Sequence, residues 1–172
     1  MVTVAEQYEA FAALAQQYCA AVEDPAVRGT KGLRTIHDLL LLVHAAAMKL
    51  PHIESTDNLK RSIPHDDAWA VFQGLQQRLP IDRYWDSFNP LEEPDNQSIQ
   101  SSLADDLCDI WRELKEGLLE LNTDGGQPCE DIWWEWRFGF QSHWGHHSAS
   151  ALRVMYFALR DSSPLHHLSL AV

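Results

Sequence analysis

The sequence predicts an all-α fold: a single-domain bundle of about five main helices, with a Trp- and His-rich C-terminal helix at its centre. Three observations point there. Apolar residues recur four and three apart through several separate segments, the pattern by which helices pack on one another. Proline, or glycine beside Asn and Asp, punctuates the segment ends. Asp131 to Asp161 runs without a proline and carries Trp133, Trp134, Trp136 and Trp144, four of the seven tryptophans. At about 100° per residue, Ile132, Trp136, Gly139, His143, His147, Ser150, Val154 and Phe157 fall on one stripe. The other faces still hold Phe138, Leu152, Tyr156 and Leu159, so the helix is apolar nearly all round and belongs inside a bundle.

The first helix is expected from about Thr3 to Glu23, packing through Val4, Tyr8, Phe11, Ala15, Tyr18 and Val22 and ending at Asp24-Pro25. The second occupies roughly Gly32 to Leu50. Its stripe is Leu33, Ile36, Leu40, Val43, Ala47 and Leu50, widened by Leu39, Leu41 and Leu42, with His37 and His44 on one flank as hydrogen-bonded, partly buried side chains. His52 to Ile63 reads as polar connection. Pro64, Asp66 and Asp67 suit the first turn of a third helix, which buries Ala68, Trp69, Phe72, Leu75 and Leu79 and stops at Pro80. Asp82 to Asp86 is expected as one short helical turn pinned by its aromatics, and Leu91 to Asn96 as exposed loop. A fourth helix begins between Ser98 and Ser102, where Ser102 and Asp105 resemble a capping box. It buries Leu103, Leu107, Ile110, Leu114, Leu118 and Leu121. Asn122 to Pro128 is a helix-to-helix turn, and residues 162–172 form a short tail.

At 172 residues the chain suits one domain with a substantial core. A net charge of −12 repels phosphate backbones and anionic lipid, so neither nucleic acid nor membrane is expected as a partner; divalent cations and basic proteins are more compatible. Cys19, Cys108 and Cys129 lack C-x-x-C spacing and read as reduced thiols. With no leader pattern at the start and no long apolar run, a cytoplasmic location is expected.

One constellation carries chemistry. A turn centred near Gly125 makes the last two helices antiparallel neighbours, so residues equidistant from it lie level. Asp109 then faces the region of Ser142 and His143, and Asp105-Asp106 faces His146 and His147. Asp106, Asp109 and Glu113 share one flank of the leucine stripe, whereas Asp105 points away. His143 and His147, one turn apart, have a chelating spacing, although H-x-x-x-H lacks the glutamate of H-E-x-x-H. Asp106, Asp109, His143 and His147 are therefore the candidate divalent-metal ligands, with His146 and Glu113 in reserve. The same residues would serve as an Asp–His general base, or as a purely structural hydrogen bond between buried polar groups. Gly139, Gly145 and Ser150 are small enough to let a neighbouring helix approach. No phosphate loop or nucleophile elbow is present.

The stretch Ser102-Leu-Ala-Asp-Asp-Leu-Cys-Asp-Ile-Trp-Arg-Glu-Leu-Lys-Glu-Gly-Leu118, with Trp134-Glu-Trp-Arg-Phe138, His143-Trp-Gly-His-His147 and Ala151-Leu-Arg153, resembles a bacterial family, the domain of unknown function 5063. Tyr84-Trp85 and Phe88-Asn89-Pro90 look like that family's aromatic-proline segment. The resemblance implies a bacterial, all-helical, single-domain protein and supplies no activity, cofactor or catalytic residue. The leading expectation is a binding or protein-interaction module with no chemistry of its own. The alternative is a divalent-metal-dependent hydrolase using the Asp/His cluster between the last two helices.

Overall fold

The computed structural model describes residues 3–54, 62–87, 91–92, 97–123 and 130–161. The helices are α1 (Val4–Glu23), α2 (Gly29–Ala47), α3 (His65–Arg78), α4 (Leu103–Thr123), α5 (Glu130–Gly139) and α6 (Gly145–Asp161). A π-helical turn, Phe140–Trp144, joins α5 to α6 as one rod. Most of the expected turn Asn122 to Pro128, most of the Leu91 to Asn96 loop, residues 55–61 of the His52 to Ile63 connection, and the tail lie outside the described residues.

α1 starts at Thr3, whose hydroxyl and backbone form a full capping box with Glu6. It buries Tyr8, Phe11, Ala15, Tyr18 and Val22, whereas Val4 remains half exposed. α2 buries Leu33, Ile36, Leu40, Val43 and Ala47 as expected and ends there, Leu50 being buried just beyond it, but Leu41 and Leu42 face outward instead of widening the stripe. Gly29 opens it at φ 61°, a conformation that favours glycine. In α3 only Leu75 is fully buried; Trp69 lies outside against Phe72, at a ring spacing of 5.0 Å. The core closes around Trp136 and Trp144, with Phe11 edge-on to Trp136 at 5.2 Å. α4 touches α1, α3 and the C-terminal rod, and α6 packs on α2 and α4. His44 Nδ1 meets Ser148 Oγ at 2.5 Å, and His37 Nδ1 meets Asp38 at 2.9 Å, so both histidines are held as expected. Among the described residues no helix is long and apolar enough to cross a membrane.

Asp82 to Asp86 is not a helical turn. Arg83–Asp86 is a strand (β1), antiparallel to Ile99–Ser102 (β2), with Tyr84 opposite Ser101. The reason lies in the start of α4. Its first amide, Leu103 N–H, donates to the Asp82 carbonyl at 2.8 Å. Ala104 N–H and Ser102 Oγ donate to the Asp82 carboxylate at 3.0 and 2.6 Å. Asp82 thus satisfies α4's orphan donors and draws the two segments into an extended pair. The Ser102–Asp105 box is half formed, with Asp105 N–H donating to Ser102 Oγ at 3.3 Å. Burial pushes the Asp82 carboxyl upward, but the bonds from Ser102, Gln76 and Ala104 outweigh it and hold it below the usual range. Asp82→Ala is expected to cost about 1–2 kcal/mol in urea unfolding. Because the folded value lies below the unfolded one, that contribution is present above about pH 4 and lost as pH falls through the folded value.

The C-terminal rod also departs from the expected stripe. Ile132, Trp136 and Gly139 are buried as predicted, but the buried set then continues as Trp144, Ser148, Ala151, Met155 and Leu159. Every position after Gly139 is therefore displaced by one or two residues. The π turn supplies the shift, because it accommodates one extra residue without ending the helix. Gly145 permits it: a Cβ at that position would overlap the carbonyl oxygen of Phe140, five residues back in the same rod. His143 and His147 are consequently rotated off the buried stripe to its edge. Phe138, Tyr156 and Phe157 lie on the outer face, about half exposed, so the rod is not buried all round.

Candidate metal centre

α4 and the C-terminal rod run antiparallel. Gly117 lies against Trp136, Glu113 against His143, and Asp106 against His147. On α4 the carboxylates occupy positions three and seven residues after Asp106, hence one flank. On the rod, His143 lies within the π turn and His147 in the first turn of α6. Asp106 is 5% exposed, and each of its two oxygens has a partner. Oδ2 accepts from the Tyr84 hydroxyl at 2.5 Å, and Oδ1 contacts His147 Nδ1 at 2.8 Å. Glu113 contacts His143 Nδ1 in the same way. Its carboxylate reaches that ring because Gly139 has no Cβ, which would overlap Glu113 Oε2.

Each imidazole thus presents Nδ1 to a carboxylate and Nε2 to the other ring, the Nε2 atoms lying 3.3 Å apart. Asp109 Oδ2 is 3.8 Å from His147 Nε2, and Asp109 Oδ1 is held by Arg112 at 3.1 Å. Ligand atoms of Asp109, His143 and His147 all fall within 4.8 Å of one another. A carboxylate favours a proton on the Nδ1 it faces, which leaves both Nε2 lone pairs free, 3.3 Å apart. Two lone pairs at that separation repel unless a cation, either a proton or a metal ion, lies between them. Zinc–nitrogen bonds of about 2.0–2.1 Å at a tetrahedral angle place two nitrogens about 3.3–3.4 Å apart.

The surrounding charges agree with a site that attracts a cation. His147 titrates above its ordinary value because of the hydrogen bond to Asp106, which outweighs its burial; Asp106, Asp109 and Asp105 charges add to the effect. Burial raises the Glu113 carboxyl, opposed by His143. Asp105 is raised by partial burial and by the charges of Asp109 and Asp106. Two clefts meet at Ser142 and His143. One, about 670 Å³, lies between the β-hairpin and the rod, with Tyr84, Ser101, His146 and His147 among its walls. The other, about 560 Å³, lies towards α3 and includes Arg112 and Glu113. His143 is therefore reachable from solvent, its side chain 44% exposed.

All four candidate residues from the sequence come together, in two different positions. Asp109, His143 and His147 converge, whereas Asp106 stands behind His147 and orients it. Glu113, a reserve candidate, stands behind His143 in the same manner. His146 lies outside the converging group, edge-on to His147 with ring centres 5.3 Å apart. Tyr84 was missed as a site residue. Its segment was expected to pin aromatics to the bundle, and nothing in helical spacing relates a strand residue to Asp106. The small residues act otherwise than expected: Gly139 admits a side chain, Gly145 admits its own helix's carbonyl, and Ser150 lies beside Tyr84 in a small cleft.

Residues 3–161 match a known family described as a domain of unknown function, DUF5063. The chain belongs to that family. A crystal structure of a protein from Bacteroides fragilis shares the fold, with a TM-score of 0.70 over 85% of this chain and 87% of that one, at 18% identity. At that identity the likeness bears on this family member's fold alone. No curated protein matches the chain.

Proposed function

We propose that the protein is a cytoplasmic, divalent-metal-dependent hydrolase. Asp109, His143 and His147 are the metal ligands, with Asp106 and Glu113 fixing the two imidazoles. The observation that carries this reading is the pair of Nε2 atoms 3.3 Å apart, each backed by a carboxylate on the other ring nitrogen. Carboxylate–histidine pairs of this kind set ring tautomer and orientation at metal centres. Three protein ligands are the usual number in catalytic zinc sites, leaving a coordination position for water or substrate. An ion held by these three residues would supply Lewis acidity for hydrolysis. The adjoining clefts have the volume of small-molecule sites.

Elemental analysis of protein purified without a histidine tag tests the proposal. About one metal ion per chain is expected, with affinity lowered at least about 100-fold in His143→Ala. Turnover in a phosphatase or esterase screen should disappear in the same variant. Protein that is metal-free and takes up no zinc, manganese or nickel removes the reading.

A second reading, an interaction module without chemistry, draws support from the exposed aromatics Trp85, Tyr156 and Phe157, which are 65%, 56% and 45% exposed. It requires a stable partner in a pull-down from native cells, together with no metal and no turnover.

A further inference from the structure

We infer that Tyr84 is a positioning residue of this centre, and that the β-hairpin is what fixes the Asp106–His147 pair. The inference rests on the metal reading for its consequence, but its geometry is independent of it. Asp106 is a carboxylate buried to 5% exposure with two hydrogen-bond partners, one on each oxygen. One partner is His147. The other is Tyr84, held in place from three directions. β1 pairs with β2, Ser150 lies beside Tyr84 in one small cleft, and nearby Asp86 is tied to Arg153 of α6 at 3.1 Å. A buried carboxylate with one oxygen unpaired rotates or admits water to recover a partner. With the phenol in place it cannot, and its remaining oxygen stays on His147 Nδ1. The His147 Nδ1–H tautomer is thereby fixed, and Nε2 is left to accept. Tyr84 thus acts on the metal position through two intervening groups without touching it.

The experiment compares wild type, Tyr84→Phe and His143→Ala. It uses zinc titration, the visible spectrum of the cobalt(II)-loaded protein, and ¹⁵N shifts of the His147 ring in metal-free protein at one pH. Phenylalanine fills the same space, so a role confined to packing leaves the cobalt spectrum and the tautomer unchanged. The expected result is zinc affinity about 10–100-fold weaker than wild type, an altered cobalt spectrum, and a mixed His147 tautomer. Wild-type zinc affinity and spectrum in Tyr84→Phe overturn the inference while leaving the metal centre standing. If wild type binds neither ion, the metal reading fails, and the ring shifts alone decide. A tautomer mixture on removal of the hydroxyl upholds the positioning role, and an unchanged Nδ1–H tautomer ends it.

Discussion

Gly145→Ala is expected to destabilise the protein by about 3 kcal/mol or more and to abolish metal uptake. In an ordinary helix interior the same substitution stabilises by about 1 kcal/mol, because glycine is a poor helix former and alanine the best. The two outcomes differ in sign, which makes the test decisive. Gly145 lies five residues after Phe140, and its N–H donates to the Phe140 carbonyl across the π turn. A methyl group on Cα would occupy the position of that carbonyl oxygen. Backbone has little freedom to yield, so the turn must either open or revert to α-helix. Reversion rotates everything after it by about 100° and shifts it along the axis by about 1.5 Å. Ser148, Ala151, Met155 and Leu159 would then leave the core, and His143 and His147 would leave the carboxylates of α4. Urea unfolding gives the stability change, and zinc titration of the folded fraction gives the site. A more stable variant that binds metal as wild type does refutes this account of the rod.

The second large effect is a pH dependence that changes sign when metal is added. His147 has a folded value above its ordinary one, owing to its bond with Asp106. Its protonated form therefore favours the fold. That contribution is fully present below the unfolded value of about 6.5 and is lost as pH rises through the folded value. Metal-free protein should thus melt at progressively lower temperature over that interval. Metal ligation requires the neutral imidazole and displaces its proton, so zinc stabilises more as pH rises. At a free zinc concentration about 100 times the dissociation constant, the gain reaches about 2.7 kcal/mol. Scanning calorimetry at pH 6 and pH 8, with and without zinc, reads both trends. A zinc-induced shift of equal size at the two pH values contradicts the ligand assignment.

The pairing of Asp106 with His147 could be read from the sequence because it depends only on chain distance from one turn. Counting outward from Gly125-Gly126 places them level. The leucine stripe of α4 then fixes which flank the carboxylates occupy, since helical periodicity is a local property of the chain. Glu113 was harder to place, because its reach to His143 depends on Gly139 of the facing helix lacking a side chain. The displaced stripe after Gly139 was not legible. A π turn adds one residue to a helix while leaving its composition helical, so apolar spacing alone places His143 and His147 one position wrongly on the buried face.

Local chemistry was sufficient for the helices, for the half-formed box at Ser102, and for the acid and imidazole residues that share one level of the bundle. Each follows from residues within a few turns of one another. Tertiary structure decided that Asp82 caps α4 from a distance and makes β1 a strand, that Tyr84 joins the site across 22 residues, and that, of the candidate residues, Asp109, His143 and His147 converge. Those outcomes are set by which buried polar atoms find partners when the helices close, and that competition is resolved between elements, where no spacing along a single one records it.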